Sequence, residues 1–191
     1  MSTEKRLNRF QDVINNKQMD LTVICDRISD PHNISAVMRT CESVGVNEIH
    51  IINSLENPIL GKKSSASANK WIDVYNYKSY DQVLKKINTN YQIISTVLDK
   101  NATSIYDLDL TKPTAIVLGN EHSGISEEMQ LKSNIKAFIP MFGLVQSLNV
   151  SVAASVILYE SLRQRLNNSF YPNKELDLNW KNEKLKEWIK K

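Results

Sequence analysis

LTVICDRISDPHNISAVMRTCESVGVNEIHII, residues 21 to 52, is the stretch that decides the fold. Leu21 to Cys25 form an unbroken apolar run, which reads as a strand covered on both faces. DRISDPHN is a cluster of turn formers. Beyond it Ile34, Val37, Met38, Cys41 and Val44 recur at helical spacing, and Gly45 closes that helix. EIHII, at 48 to 52, is a second strand. A strand, a helix and a strand within about 30 residues is the unit from which parallel sheets are built.

The alternation continues outward. WIDVYNY (71 to 77), YQIISTV (91 to 97), TAIVLG (114 to 119) and KAFIP (136 to 140) read as further strands. Tyr80, Val83, Leu84 and Ile87 mark one helix face, and ISEEMQLK is a short helix. SLNVSVAASVILYESLRQRL is a long one, starting at about Ser147. Leu7, Phe10 and Ile14 give an amphipathic helix ahead of the first strand. After Pro172 a last helix carries Leu185, Trp188 and Ile189 on one face. The expected fold class is α/β, a mostly parallel sheet with flanking helices.

A chain of 191 residues suits one domain with terminal extensions. MSTEKRLNRFQDVINN lacks the apolar middle of a signal peptide, so a cytoplasmic location is expected. Cys25 and Cys41 stand in apolar-patterned segments without zinc-site spacing and read as small core residues. The net charge of +3 does not announce nucleic-acid binding. Its distribution is more suggestive: residues 61 to 70 hold three Lys and no acid, and residues 180 to 191 hold five Lys against two Glu. Such runs make phosphate contacts in some proteins and are solvated surface in others.

In a parallel sheet ligands bind beyond the carboxyl ends of the strands. Three chemically rich loops leave strands on that edge: DPHN, GNEHSG and PMFGLVQSLN. Each has an ordinary reading beside a functional one. Arg39 points away from the apolar stripe of its helix, with Ser35 and Glu42, and reads either as a solvated ion pair or as a site residue. Asn33 caps the helix or serves the site. Glu121 suits a helix start, where the dipole favours a carboxylate. Gly119 and Gly124 permit positive φ or close backbone approach. His122 has no second His or Cys at metal-ligand spacing, so no metal is expected. GNEHSG lacks the Lys-Ser or Lys-Thr of a P-loop, and the chain has no Gly-x-Ser-x-Gly elbow. In the third loop, Pro140 and Gly143 break the chain and leave Met141, Phe142 and Leu144 as an apolar wall. Ser147 reads as a helix cap, and Asn149 sits less comfortably in the first turn.

Taken together, DPHNISAVMRTCESVG, IVLGNEHSGIS and IPMFGLVQSLNVSVAAS resemble the three motifs of the SPOUT-class RNA ribose 2′-O-methyltransferases, in particular the TrmH group, which methylates a guanosine (position 18) in the tRNA D-loop. The resemblance runs from about residue 21 to 166. Its markers are an Asn six residues before an Arg, then Gly-Asn-Glu, then Ser-Leu-Asn. It implies a methyltransferase domain over 21 to 167, an N-terminal helical extension (1 to 20) and a C-terminal basic helical extension (168 to 191). It also implies a trefoil knot in the C-terminal part of the sheet and a homodimer with the site at its interface.

The implied cofactor is S-adenosylmethionine, held among Leu118, Gly119, Ile139, Met141, Ser147 and Leu148, with the glycines letting main-chain groups reach it. The implied catalytic set is Asn33, Arg39, Glu121, Ser147 and Asn149, and the implied substrate is tRNA. Candidate RNA contacts outside the pocket are Lys62, Lys63, Lys70, Arg163 and Arg165, together with the Lys-rich tail. Trp180 and Trp188 read as packing anchors or as base-stacking groups. Two rival readings are the same chemistry on ribosomal RNA or another tRNA position, and a non-catalytic RNA-binding relative.

Overall fold

The computed structural model describes residues 3–53, 68–87, 89–99 and 101–191. Lys62 and Lys63 therefore lie outside the described residues. The element order is α1 (Glu4–Asn15), β1 (Leu21–Asp26), α2 (Pro31–Ser43), β2 (Glu48–Ile52), β3 (Asp73–Tyr77), α3 (Tyr80–Lys86), β4 (Gln92–Thr96), β5 (Thr103–Ser104), β6 (Thr114–Leu118), α4 (Glu127–Lys132), β7 (Ile135–Phe138), α5 (Val150–Asn167) and α6 (Leu178–Ile189). The seven strands form one sheet in the order β3-β2-β1-β6-β4-β7-β5. Every pairing is parallel, so all strands end on one edge and the expected gathering of loops follows.

The continuous apolar runs lie where two-sided burial requires them. Every residue of β1 and of β6 is buried, and these two strands pair at the centre of the sheet. Alternate residues serve opposite layers. Val23, Cys25, Ile116 and Leu118 pack with Val37, Met38 and Cys41 of α2 and with Ala154, Ile157 and Leu158 of α5. Ile24, Ala115 and Val117 face Val83 of α3 and Met129 of α4. Cys25 and Cys41 are core residues: burial pushes the Cys25 thiol up to about 12 and that of Cys41 well above its ordinary range.

The two termini share a satellite core. Phe10 and Ile14 of α1 pack with Trp188 of α6, supported by Trp71 and Trp180. The Trp188 ring meets Phe10 at 5.8 Å and Trp71 at 5.2 Å, both edge-on, so Trp188 is an anchor and Trp180 packs beside it. The expected face of α6 is shifted, because Ile189 is 42% exposed and Lys184 is buried instead. Lys184 Nζ donates to both carboxylate oxygens of Asp73 at 2.8 Å, which accounts for a cation on that face.

Arg165 corrects the RNA-contact expectation most clearly. Its side chain has no exposed surface. Its guanidinium donates to the Leu110 carbonyl (3.1 Å), the Lys112 carbonyl (3.1 Å), Gln18 Oε1 (3.0 Å) and the Asp20 carboxylate. It ties the end of α5 to the segments that lead into β1 and β6 and is out of reach of any RNA. Arg163, two residues earlier, is 61% exposed and paired with Glu160, while Lys70 is exposed.

Replacing Arg165 by Met removes the donor to the Leu110 carbonyl, to Gln18 Oε1 and to the Asp20 carboxylate, while the Lys112 carbonyl keeps the Thr114 hydroxyl. The expected loss in unfolding free energy is ~3 kcal/mol by urea denaturation followed by circular dichroism. A loss under ~1 kcal/mol would show that Arg165 does not tie these segments together.

Candidate active site

The DPHN loop enters α2 through Asp30, whose carboxylate accepts from the His32 N–H at 2.8 Å, with Pro31 in the first turn. Asp30, not Asn33, is the cap. That leaves the Asn33 side chain free to reach across to the loop after β6.

The β6 loop is folded tightly on itself. Asn120 N–H donates to the Gly124 carbonyl (3.0 Å) and Gly124 N–H to the Asn120 carbonyl (2.9 Å), with Gly124 at φ +69°. A Cβ on Gly119 would lie 2.3 Å from the Gly124 carbonyl carbon and from Ile125 N. Gly119 is thus required by the loop's own backbone, whereas the resemblance implied a ligand's approach as the reason. The Asn120 side chain accepts from His122 N–H (2.9 Å) and Ser123 N–H (3.0 Å) and donates to the Arg27 carbonyl at 2.8 Å. Further along, Ser126 N–H donates to the buried Asp26 carboxylate at 2.7 Å. The loop is therefore pinned to the end of β1 on both sides of Glu121.

Glu121 is the centre of the site. Its Oε2 accepts from Ser29 N–H (3.1 Å) and Ser29 Oγ (2.9 Å), and its Oε1 accepts from Asp30 N–H (3.3 Å) and Asn33 Nδ2 (2.9 Å). Partial burial alone would raise its pKa. The hydrogen bonds from Asn33, the backbone and Ser29 outweigh that and hold it down to about 2. An ionised carboxylate only accepts, so Asn33 must turn its amide nitrogen toward Glu121 and its oxygen away. That oxygen accepts from Asn149 Nδ2 at 3.1 Å. Asn149 in turn caps α5, its Oδ1 accepting from Ser151 N–H (2.8 Å) and Ser151 Oγ (2.6 Å).

Three of the five expected catalytic residues, Asn33, Glu121 and Asn149, are joined in one chain of hydrogen bonds. The helix begins at Val150 with Asn149 as its cap, two residues later than expected for Ser147, which lies in the preceding loop. All six expected cofactor residues, Leu118, Gly119, Ile139, Met141, Ser147 and Leu148, line a cavity of about 1030 Å³ that Glu121 and Asn149 also border. The loops after β4, β6 and β7 supply its walls. Phe142 and Leu144 are not among them; they are 98% and 103% exposed.

Arg39 does not line the cavity either. It is exposed on the outer side of α2 and pairs with no carboxylate among the described residues, Glu42 included. Ser35 is buried, so Arg39 does not share a solvated face with it. Asn120, Ser29 and Asp26 were missed as site residues. Asn120 stood in the Gly-Asn-Glu marker without a role, and Asp26 and Ser29 read as members of a turn cluster.

The model of the SpoU rRNA Methylase family matches residues 20–159 of this chain. The tRNA (guanosine(18)-2′-O)-methyltransferase of Thermus thermophilus is 37% identical over 190 residues, covering 99% of this chain and 98% of that protein. The crystal structure of the A. aeolicus TrmH/SpoU tRNA modifying enzyme superposes with a TM-score of 0.91 at 36% identity, covering 98% of this chain and 96% of the other. The SpoU methyltransferase AviRb from Streptomyces viridochromogenes, in complex with the cofactor AdoMet, follows at a TM-score of 0.71 and 27% identity, covering 78% and 59%. Family model, full-length similarity and a shared parallel sheet agree with the joined Asn33, Glu121 and Asn149, and on these grounds the chain belongs to the SpoU rRNA Methylase family.

Proposed function

We propose that this chain transfers a methyl group from S-adenosylmethionine to the ribose 2′-hydroxyl of guanosine 18 in tRNA. The observation that carries the reading is the hydrogen-bonded chain Asn149–Asn33–Glu121 at the rim of the cavity. It stands with similarity to a tRNA (guanosine(18)-2′-O)-methyltransferase over 99% of the residues. The cavity fits the cofactor. About 1030 Å³ is at the upper end of small-molecule pockets, and Leu118, Ile139 and Leu148 offer apolar walls for a base. An ionised Glu121 at the rim suits a ligand that carries positive charge.

When bound, S-adenosylmethionine supplies an electrophilic methyl on a positively charged sulfur. The chain's residues orient the hydroxyl and stabilise the charge it develops. Asn33 and Asn149, with amide directions fixed by Glu121 and by the Ser151 N–H, position the ribose. Arg39 keeps its proton and acts through charge, stabilising the developing alkoxide and clamping a neighbouring phosphate. Ser147 borders the same cavity and contributes to holding the cofactor. Lys70 and Arg163 are the exposed cations proposed for RNA contact.

Arg39 reaches a cavity when a second copy of this chain covers the outer face of α2 and α5. Val152 (47% exposed) and Tyr159 (52% exposed) supply the apolar part of that face. We read residues 21–167 as the catalytic domain and the two ends as extensions. A knot in its C-terminal part is supported by β6 lying between β1 and β4. Among the described residues no helix is long and apolar enough to cross a membrane. The cytoplasm, where tRNA is modified, is the proposed location.

Labelled S-adenosylmethionine and an unmodified tRNA transcript are expected to give one labelled ribose, at guanosine 18. Label on ribosomal RNA or another tRNA position would replace this assignment. Arg39→Lys keeps the charge and loses the planar fork, so its single-turnover rate should fall roughly 100-fold with cofactor affinity kept.

Ser29→Ala removes a hydroxyl donor from Glu121. By carbon-13 NMR, the carboxyl should titrate higher than about 2, toward its ordinary 4.5. Because the folded-state pKa lies below the ordinary value, this network stabilises the fold fully above pH 4.5, and the effect is lost as pH falls toward 2. An unmoved titration would show that Ser29 does not hold the carboxylate.

Light scattering should report twice 21.9 kDa. The double substitution Val152→Glu and Tyr159→Glu should give monomers without turnover. A wild-type monomer at micromolar concentration would overturn the dimer.

A further inference from the structure

Arg27 follows the last residue of β1 with φ at +54°, in the left-handed region. Residues with a Cβ are uncommon there, and Gly or Asn occupies such a position at lower cost. The conformation is fixed through the main chain. Arg27 N–H donates to the Ile52 carbonyl at 3.0 Å, and the Arg27 carbonyl accepts from Asn120 Nδ2 at 2.8 Å. The turn therefore needs this backbone, and nothing in it needs an arginine.

The side chain is tethered at one end. Nε donates to Asp26 Oδ1 at 3.3 Å, and the Asp26 side chain has no exposed surface. Asp26 has further donors in Tyr80 Oη (2.9 Å) and Ser126 N–H (2.7 Å), so its hydrogen bonding does not depend on Arg27 alone. The Arg27 side chain is 41% exposed, and its two terminal nitrogens have no partner among the described residues. The neighbouring acids do not claim them: Glu121 is saturated by N–H and O–H donors, and Asp30 caps α2.

The guanidinium thus stands at the carboxyl edge, beside the loop that carries Glu121, with its Nε tethered to Asp26 and its outer donors open to solvent. A fork tethered at Nε has less conformational freedom to lose and matches the oxygens of a phosphodiester. We propose that Arg27 binds a backbone phosphate of the RNA substrate, a contact that rests on reading the adjoining cavity as an RNA methyltransferase site.

The test is the salt dependence of binding of an unmodified tRNA transcript. Arg27→Gln keeps a donor for Asp26, imposes no new backbone demand and removes the charge. It should lower the slope of log affinity against log salt by about one. Because one contact contributes about one power of salt, affinity should drop roughly tenfold at 0.1 M salt. Arg27→Lys should keep the wild-type slope. Affinity for S-adenosylmethionine should be unchanged in both variants.

An unchanged slope in Arg27→Gln, or a loss of cofactor affinity in its place, would overturn the proposal. On the wild-type protein, tRNA should protect Arg27 from phenylglyoxal, and absence of protection would overturn it independently of how the variants fold. Wild-type protein that takes up no tRNA would remove the methyltransferase reading as well. Normal uptake with an unaltered slope would remove the Arg27 contact alone.

Discussion

An ionised carboxylate that accepts four hydrogen bonds holds the site together. Glu121 can only accept, so each neighbour must turn a donor toward it. For a backbone N–H or a hydroxyl that is a small demand. For Asn33 it is a choice between two ends of an amide, and the choice propagates. The Asn33 oxygen must accept from Asn149, and Asn149 is left with its oxygen for the first turn of α5. One charge thereby sets the polarity of Asn33, 88 residues away in the chain, and matches it to Asn149, 116 residues from Asn33. A neutral group at this position would release Asn33 from that demand, while Asn149 would still be oriented by the Ser151 N–H.

That charge is useful only because the loop bearing it is rigid. The loop is fixed through the Asn120 amide to the Arg27 carbonyl and through Ser126 N–H to Asp26, and it is closed on itself between Asn120 and Gly124. The last closure forces the backbone so near Gly119 that no side chain fits. Sites held on such supported elements keep their geometry without a ligand to organise them. Residues 142 to 145, between the cavity-lining Met141 and Gln146, are different. Phe142, Leu144 and Val145 are exposed in the single chain.

The basic residues show how little charge says without position. Arg163 and Arg165 are two residues apart on one helix, about 200° apart around its axis. The first is exposed and paired with the buried Glu160, and the second is sealed among Gln18, Asp20, Leu110 and Lys112 ahead of β1 and β6. Arg27 is a third case, with a buried anchor and an exposed tip. All three are equally basic letters in the sequence, and the difference lies in what the tertiary structure places around each guanidinium.

The sequence by itself determined the elements and the edge on which the chemistry lies. The unbroken apolar run of β1 read as a strand covered on both faces, helical spacing gave α2, and β-α-β alternation made the sheet parallel, because these are relations among residues a few positions apart. The three motif loops were legible for the same reason. It did not determine that β6 would lie between β1 and β4, that β5 would form, or that Asp30 and Asn149 would be the caps, with Asn33 and Ser147 freed from that role. Nor did it reveal that Ser29 would hold Glu121 or that Arg165 would be buried. The caps are local bonds chosen among neighbouring Asp, Asn and Ser by where each helix starts, and the rest are pairings between segments distant along the chain, where only packing of the whole sheet decides which donor meets which acceptor.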